Sequence, residues 1–220
     1  MKTIGMIGGM SWESTVEYYR IINQSVAGKL GGYHSAKSAL VSVDFHEIER
    51  MQAEDGWDEA GTAMAEAAAA CEAGGAELIV LCTNTMHKVY DRAAAAVRVP
   101  FLHIADATAV RIRAAGLGTV ALLGTRYTME DTFYRGRLEA QHGLRVLVPD
   151  AAGRDEVHQV IYDELVHGEI RDGSRARFVE IIAGLEAAGA EGVIAGCTEI
   201  GLLVKQDDVR VPLFDTARIH

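Results

Sequence analysis

The sequence predicts an α/β fold made of two similar halves, each with a mostly parallel β-sheet. Short runs of β-branched and apolar residues alternate with longer, Ala-rich amphipathic stretches along the whole chain. Glycine is frequent, with 23 residues, whereas proline occurs only 3 times. Three short segments also recur in the same order later in the chain. Alternating strands and helices are typical of parallel sheets with helical crossovers, and the recurrence indicates a duplication.

Six short apolar runs predict buried strands, and six amphipathic stretches between them predict helices. The strand segments are residues 3–8, 39–43, 78–82, 119–124, 144–148 and 192–196. The helical segments are residues 14–27, 57–73, 86–97, 129–141, 155–166 and 175–188. Several of these helices end at a glycine, which is a common stop signal. A further short strand is expected at each Val-Pro pair, and the first of these is followed by a helix that ends at Ala114.

The internal repeat divides the chain into two halves. The matching segments are residues 3–8 with 119–124, 72–77 with 186–191, and 97–100 with 209–212. We therefore predict a first half at residues 1–115 and a second half at residues 116–220, and leave open a return of the chain to the first half near its C-terminus. Because ligands of α/β sheets bind at the carboxyl ends of the strands, we expect the active site in the cleft between the halves.

Composition and charge exclude several classes of protein. The 220 residues are 49% hydrophobic and 24% charged, which is typical of a folded domain. The net charge of −10, without a basic stripe, argues against nucleic acid or a membrane surface as partner. Three cysteines do not form a disulfide framework, and no signal peptide or membrane-length apolar run is visible. We expect a cytoplasmic protein with a small-molecule ligand.

Two polar side chains occupy equivalent positions at the ends of predicted strands. Thr83 follows Glu77 by the same number of residues as Cys197 follows Glu191, so Thr83 corresponds to Cys197. A strand alternates its side chains, so Thr83 and its neighbour Cys82 cannot both point into one cleft if the strand persists. A thiol with a pKa of about 8.5 is a few per cent thiolate near neutrality and can serve as a base, whereas a threonine hydroxyl is a weak proton donor and a worse base. Cys197 is therefore the candidate base.

Three motifs resemble the aspartate/glutamate racemase family, and the resemblance covers nearly the whole chain. They are Gly-Gly-Met at 8–10, Asn-Thr-Met-His at 84–87 and Gly-Cys-Thr-Glu at 196–199. The longer strings at residues 8–15 and 81–88 resemble the L-aspartate/glutamate-specific branch. The resemblance implies two pseudo-symmetric α/β domains and racemisation without pyridoxal phosphate, metal or another cofactor. The family often forms dimers, which leaves a homodimer open.

The resemblance also implies the roles of individual residues. The usual family motif has a cysteine where this chain has Thr83, so the implied catalytic pair is Thr83 and Cys197. Glu199 would receive the substrate ammonium, and Gln52, or more weakly Arg50, would receive the side-chain carboxylate. Where relatives carry a lysine before a glycine in the second half, this chain has His167. The other residues expected to bind substrate are Met10 and Ser11 on the Gly-rich turn, and Asn84, Thr85 and Thr198 around the α-carboxylate.

Several residues have structural interpretations beside the functional ones. Cys71 and Cys82 are expected to be buried core residues. His87 either tunes the site or makes a structural hydrogen bond. The histidines show no metal-ligand spacing, and the glycines near residue 8 do not fit a dinucleotide-binding motif, despite Asp44 after the second strand. Two alternative functions remain: a one-cysteine isomerase or decarboxylase of a small dicarboxylate, and a catalytically silent amino-acid-binding protein.

Overall fold

The computed structural model describes all residues from 1 to 220, and the chain divides into two compact units. The first unit, Met1–His103, contains a three-stranded parallel sheet with the strand order β2-β1-β3. Its strands are β1 (Ile4–Gly8), β2 (Ser38–Ser42) and β3 (Leu78–Leu81). Its helices are α1 (Trp12–Leu30), α2 (Phe45–Ala53), α3 (Trp57–Ala73) and α4 (Tyr90–Ala95), and a 3₁₀ helix covers Thr85–Val89.

The second unit, Ile104–His220, contains a four-stranded parallel sheet with the order β5-β4-β6-β7. Its strands are β4 (Thr119–Gly124), β5 (Arg145–Leu147), β6 (Val193–Gly196) and β7 (Leu213–Asp215). The longer helices are α5 (Ile104–Ala114), α7 (Arg135–His142), α8 (Ala151–Asp163) and α9 (Asp172–Ala187). Short helices are α6 (Arg126–Glu130), α10 (Ile200–Leu203) and α11 (Thr216–Ile219), with 3₁₀ turns at Leu165–His167 and Gln206–Asp208.

The strand register follows the repeat seen in the sequence. Gly5 of β1 lies opposite Ile79 of β3, and the equivalent residues Ala121 and Val193 lie opposite each other in β4 and β6. Val193 also pairs with β7, and Ile79 correspondingly forms a parallel bridge to Phe101. The two sheets therefore have the same strand order, and the predicted α/β fold with duplicated parallel sheets is confirmed.

The same hydrogen bond to a glutamate carboxylate occurs in both units. The backbone N–H of Thr3 donates to the carboxylate of Glu77 at 2.9 Å. In the second unit, the N–H of Thr119 donates to the carboxylate of Glu191 at 2.7 Å. Glu77 precedes β3 and Glu191 precedes β6, and each is bonded to the start of the neighbouring strand, so the same contact joins equivalent strand pairs in both units.

Both cores form from the faces of the sheets. In the second unit, alternate residues of β4 enter different clusters: Val120 and Leu122 pack on one face, and Ala121 and Leu123 on the other. This period of two is expected for a strand covered by helices on both sides, and it explains why the strand is a continuous apolar run.

The structure differs from the prediction in four places. The helix predicted at 86–97 is a 3₁₀ helix followed by the short helix α4. The helix predicted at 129–141 is divided into α6 and α7, because the backbone at Asp131 is extended and the Tyr134 ring enters the core. Helix α2 was not predicted; Asp44 caps it by accepting a hydrogen bond from the backbone N–H of His46 at 3.0 Å. The second unit begins at Ile104 rather than at residue 116, because α5 buries its apolar face in a cluster with residues of β4 and β6. None of the helices is long and apolar enough to span a membrane.

Candidate active site

The turn after β1 depends on a glycine. Gly9 has a φ of +95°, and a Cβ atom there would lie 2.2 Å from the carbonyl oxygen of Val43. Its N–H donates to the hydroxyl of Thr15 at 2.8 Å, and that hydroxyl donates to the carbonyl oxygen of Ser11 at 3.0 Å. A side chain at residue 9 would therefore clash with the neighbouring backbone and adopt a strained conformation. The Gly-rich turn holds the start of α1 close to the sheet.

The two residues of this turn expected to bind substrate, Met10 and Ser11, are both buried. Ser11 caps α1, and its hydroxyl accepts a hydrogen bond from the backbone N–H of Ser14. The hydroxyl of Ser14 in turn donates to the carbonyl oxygen of Cys82 at 3.1 Å. This contact joins the start of α1 to the end of β3, where the next group of candidate residues lies.

Strand β3 ends before the candidate catalytic threonine. The backbone N–H of Cys82 donates to Ile7 on β1 at 2.9 Å, and the N–H of Thr83 then turns back to the carbonyl oxygen of Leu81 at 2.8 Å. The strand alternation assumed in the sequence therefore does not extend to Thr83. Cys82 is completely buried, and burial raises the pKa of its thiol well above the usual range. Its surroundings are those of a core cysteine.

Asn84 and Thr85 follow Thr83 and are also buried. On α2, Gln52 is buried, and its amide nitrogen lies 3.1 Å from the sulfur of Met86 in the 3₁₀ helix. Because the carboxyl ends of paired parallel strands lie at one edge of a sheet, the first unit gathers its candidate residues at this edge. They are Met10, Ser11, Gln52, Thr83, Asn84 and Thr85.

The second unit places Cys197, Thr198 and Glu199 directly after β6, and all three side chains are buried. The thiol of Cys197 donates to the Oε2 atom of Glu199 at 2.9 Å, and the hydroxyl of Thr198 donates to the same oxygen at 2.8 Å. The backbone N–H of Ile200 closes the turn by donating to the carbonyl oxygen of Cys197 at 3.1 Å. A thiol, a hydroxyl and a carboxylate are thus held in one hydrogen-bonded group.

The electrostatic surroundings of Cys197 favour the protonated thiol. Burial is the largest cause that raises its pKa, and the negative charge of Glu199 raises it further. Both effects act against the thiolate, and the expectation from the sequence does not include them because it uses the pKa of an exposed cysteine. Glu199, which is expected to bind the substrate ammonium, is therefore also the residue whose charge raises the pKa of the Cys197 thiol.

Other residues considered in the sequence lie outside these two groups. Arg50 is exposed and forms ion pairs with Glu54 and Glu59. His167 is also exposed, at the end of a 3₁₀ turn. Across the chain, no group of three or more His, Cys, Asp and Glu side chains is arranged to hold a metal ion.

One buried polar residue at the second sheet edge was missed. Thr125 directly follows Gly124, which lies opposite Gly196, so Thr125 lies at the same edge as Cys197. Its hydroxyl caps α6 by accepting from the backbone N–H of Thr128. The internal repeat could have indicated Thr125, because the end of β4 corresponds to the Gly-rich end of β1, where other candidate residues lie.

The fold and the residues at the strand ends define a duplicated α/β protein of the racemase type. The chain belongs to the Asp/Glu/Hydantoin racemase family, whose model matches residues 7–220. The family, the fold class and the expectation of an isomerase are thereby confirmed.

Solved structures agree with this assignment. A Yersinia pestis protein assigned to the Asp/Glu racemases is 55% identical, with a TM-score of 0.92, over 100% of this chain and 96% of that one. An aspartate racemase homologue from Pyrococcus horikoshii OT3 is 39% identical, with a TM-score of 0.86 and the same coverage of both chains. Glutamate racemase from Aquifex pyrophilus shares the fold at 16% identity, with a TM-score of 0.63 over 99% of this chain and 80% of that one.

Proposed function

We propose that the chain is a cofactor-independent racemase that inverts the α-carbon of aspartate or glutamate. The observation that carries the proposal is the buried thiol of Cys197 at a strand end, hydrogen-bonded to Glu199. The equivalent position in the first unit holds Thr83, so each unit supplies one side chain that can carry a proton. Membership of a racemase family supports the reaction class.

Cys197 is the base for the L-enantiomer, and substrate binding activates it. In the free protein, burial and Glu199 keep the thiol protonated. The ammonium group of the substrate binds Glu199 and offsets its negative charge. Since a nearby positive charge favours the thiolate, the pKa of Cys197 falls and the thiol loses its proton to solvent. The base therefore forms mainly when an amino acid is bound.

The α-proton of the L-substrate moves to the sulfur of Cys197, and its bonding electrons remain on the α-carbon as a carbanion. Thr83 then donates its hydroxyl proton to the opposite face of that carbon, and the resulting alkoxide regains a proton from water. Thr83 is the slower partner because a hydroxyl is much less acidic than a thiol. The carbanion therefore returns to the L-enantiomer more often than it inverts.

The remaining candidate residues stabilise the charge that develops in this step. The amide of Asn84 and the hydroxyl of Thr85 donate hydrogen bonds to the α-carboxylate, which takes up negative charge from the carbanion. The hydroxyl of Thr198 leaves Glu199 when the ammonium binds there and then donates to the same carboxylate. The amide of Gln52 donates to the side-chain carboxylate. Met10 and Ser11 close the site at the Gly-rich turn.

The proposal is tested by separate incubation of the L- and D-enantiomers of aspartate and glutamate in D₂O, with chiral chromatography and mass spectrometry at early times. We expect deuterium to enter the recovered L-enantiomer faster than the D-enantiomer is formed. Recovered D-substrate should gain little deuterium before it inverts. Cys197→Ala should abolish both processes, with a loss of at least about 10²-fold, while substrate binding stays within about tenfold of the unchanged protein.

Three outcomes would contradict the proposal. Equal early exchange into both enantiomers would mean that two comparable bases flank the α-carbon, which excludes Thr83. Release of carbon dioxide without inversion would indicate a one-cysteine decarboxylase. A ligand-induced rise in melting temperature without exchange or inversion would indicate an amino-acid-binding protein.

A further inference from the structure

His87 bonds directly to the backbone of the candidate catalytic threonine. Its Nδ1 atom lies 2.8 Å from the carbonyl oxygen of Thr83. Because a carbonyl oxygen only accepts, the imidazole must carry a hydrogen on Nδ1 and donate it. The N–H of Thr83 is bonded to Leu81 on the other side. The peptide groups on both sides of Thr83 are therefore held by hydrogen bonds.

Holding both peptide groups restricts the direction in which the Thr83 side chain points. The φ and ψ angles of a residue set the direction of its Cα–Cβ bond, and a β-branched side chain then has few χ1 rotamers. The carbonyl bond from His87 restrains the ψ side of this residue. A shift of about 1 Å at a reacting group can cost about 10²-fold in rate, so this restraint matters for proton transfer.

The imidazole of His87 is itself fixed by aromatic neighbours in the first unit. It is almost fully buried, with its ring centroid 4.6 Å from that of His103 and 5.8 Å from that of Tyr90. The Tyr90 hydroxyl donates to the carbonyl oxygen of Phe101 at 2.6 Å, which anchors the group to the strand-like segment beside β3. The His87 ring, which donates to Thr83, is therefore held in place by the aromatic side chains packed around it.

In the second unit, the equivalent carbonyl oxygen accepts its hydrogen bond from the backbone and not from a side chain. There the carbonyl oxygen of Cys197, the counterpart of Thr83, accepts from the backbone N–H of Ile200 at 3.1 Å. The counterpart of His87 is Gly201, where a Cβ atom would lie 2.6 Å from the carboxylate of Asp215. A side-chain donor thus serves the first unit, and a backbone donor serves the second.

We propose that His87 is a positioning residue, which holds Thr83 in the orientation needed for proton transfer through the Nδ1–H bond to its carbonyl oxygen. This inference rests on the proposed function. It predicts a selective defect: without the bond, protonation from the Thr83 face slows, whereas exchange at the Cys197 face continues.

The test compares His87→Asn with His87→Gln. The amide of asparagine can place an N–H near the position of Nδ1, whereas glutamine places its amide farther out, near Nε2. The readout is the ratio of inversion to deuterium exchange for L-substrate in D₂O. This ratio does not depend on the folded fraction, because unfolded protein performs neither reaction. We expect the ratio to fall by about tenfold or more in His87→Gln and to stay within about threefold in His87→Asn.

His103→Phe is the matched control, because it keeps a ring against His87 and leaves the bond to Thr83 in place. Its ratio should remain within about twofold of the unchanged protein, since the donor to the carbonyl is intact. Equal losses of exchange and inversion in His87→Gln, or the same ratio in the two His87 variants, would overturn the inference. If the protein without substitutions showed neither exchange nor inversion, that result would instead contradict the proposed function.

Discussion

Replacement of Glu199 by glutamine should make the Cys197 thiol more acidic. The Glu199 oxygen lies 2.9 Å from the sulfur, and the carboxylate charge is shared with a second oxygen farther away. Two unit charges about 4 Å apart interact by about 4 kcal/mol at an effective dielectric constant of about 20. Because this charge favours the protonated thiol, its removal should lower the pKa of Cys197. Burial remains and still raises the pKa, so the thiol does not become unusually acidic.

The assay is the pH dependence of iodoacetamide alkylation, followed by mass spectrometry of the peptide that contains Cys197. Because only the thiolate reacts, the midpoint of the rate profile gives the pKa of the thiol. Mass spectrometry separates this peptide from those that contain Cys71 and Cys82, which are both buried, so the profile belongs to Cys197. Addition of aspartate to the unchanged protein should move the midpoint in the same direction as Glu199→Gln does, because the ammonium offsets the carboxylate charge.

The same substitution should weaken catalysis although it makes the thiol more reactive. Glutamine does not provide a negative charge for the substrate ammonium, so KM for L-aspartate should rise by about tenfold or more, as expected from the loss of a charged hydrogen bond. An alkylation midpoint that stays constant or rises in Glu199→Gln would refute the reasoning, because it would show that Glu199 does not raise the pKa of Cys197.

Two further predictions concern the thiol and hydroxyl groups of the first unit. Thr83→Cys should increase the rate of inversion relative to exchange in D₂O, because a thiol ionises far more easily than a hydroxyl; a folded variant with an unchanged or lower ratio would count against Thr83 as the second proton carrier. Cys82→Ala should retain most activity and should reduce the loss of stability at alkaline pH. Burial raises the pKa of Cys82 in the folded protein, so the stability it contributes is complete below the unfolded pKa of about 8.5 and falls above it by about 1.4 kcal/mol per pH unit. Urea unfolding from neutral pH to about pH 10 measures this slope, and equal slopes in the two proteins would exclude an ionisation penalty at Cys82.

Strands β1, β3, β4 and β6 could be predicted because each is a short apolar run that is buried on both faces. The repeat supplied what the runs alone could not, namely which strand ends correspond. It identified Thr83 as the counterpart of Cys197, and the observed register of β1 with β3 and of β4 with β6 agrees with that equivalence. The argument from strand alternation was less useful, because the chain turns at Cys82 before Thr83 is reached.

Other features depend on contacts that a local pattern does not contain. Helix α5 is amphipathic, but its sequence does not indicate which sheet its apolar face covers. The hydrogen bond between Cys197 and Glu199 depends on the turn after β6 and on burial, so the direction of the pKa shift was not visible in the motif. His87 was recognised as a candidate for a hydrogen bond, but its acceptor could be identified only from the folded turn.

In the proposed mechanism, the two units control proton transfer by different physical means. In the second unit, a buried carboxylate holds the Cys197 thiol in its protonated form, so the charge of a bound ammonium can switch it to the base. In the first unit, a nearby charge does not change the protonation state of Thr83, because a hydroxyl does not ionise near neutrality. The orientation of the Thr83 side chain therefore controls proton transfer on that side. The enantiomers of an amino acid have equal free energies, so kcat/KM must be the same in both directions whichever residues flank the α-carbon. The difference between the two units consequently appears in how often the carbanion returns to the L-enantiomer before it inverts, and not in kcat/KM. Under the proposed mechanism, a preference for L-substrate is therefore a difference in proton exchange and not in the direction of the reaction.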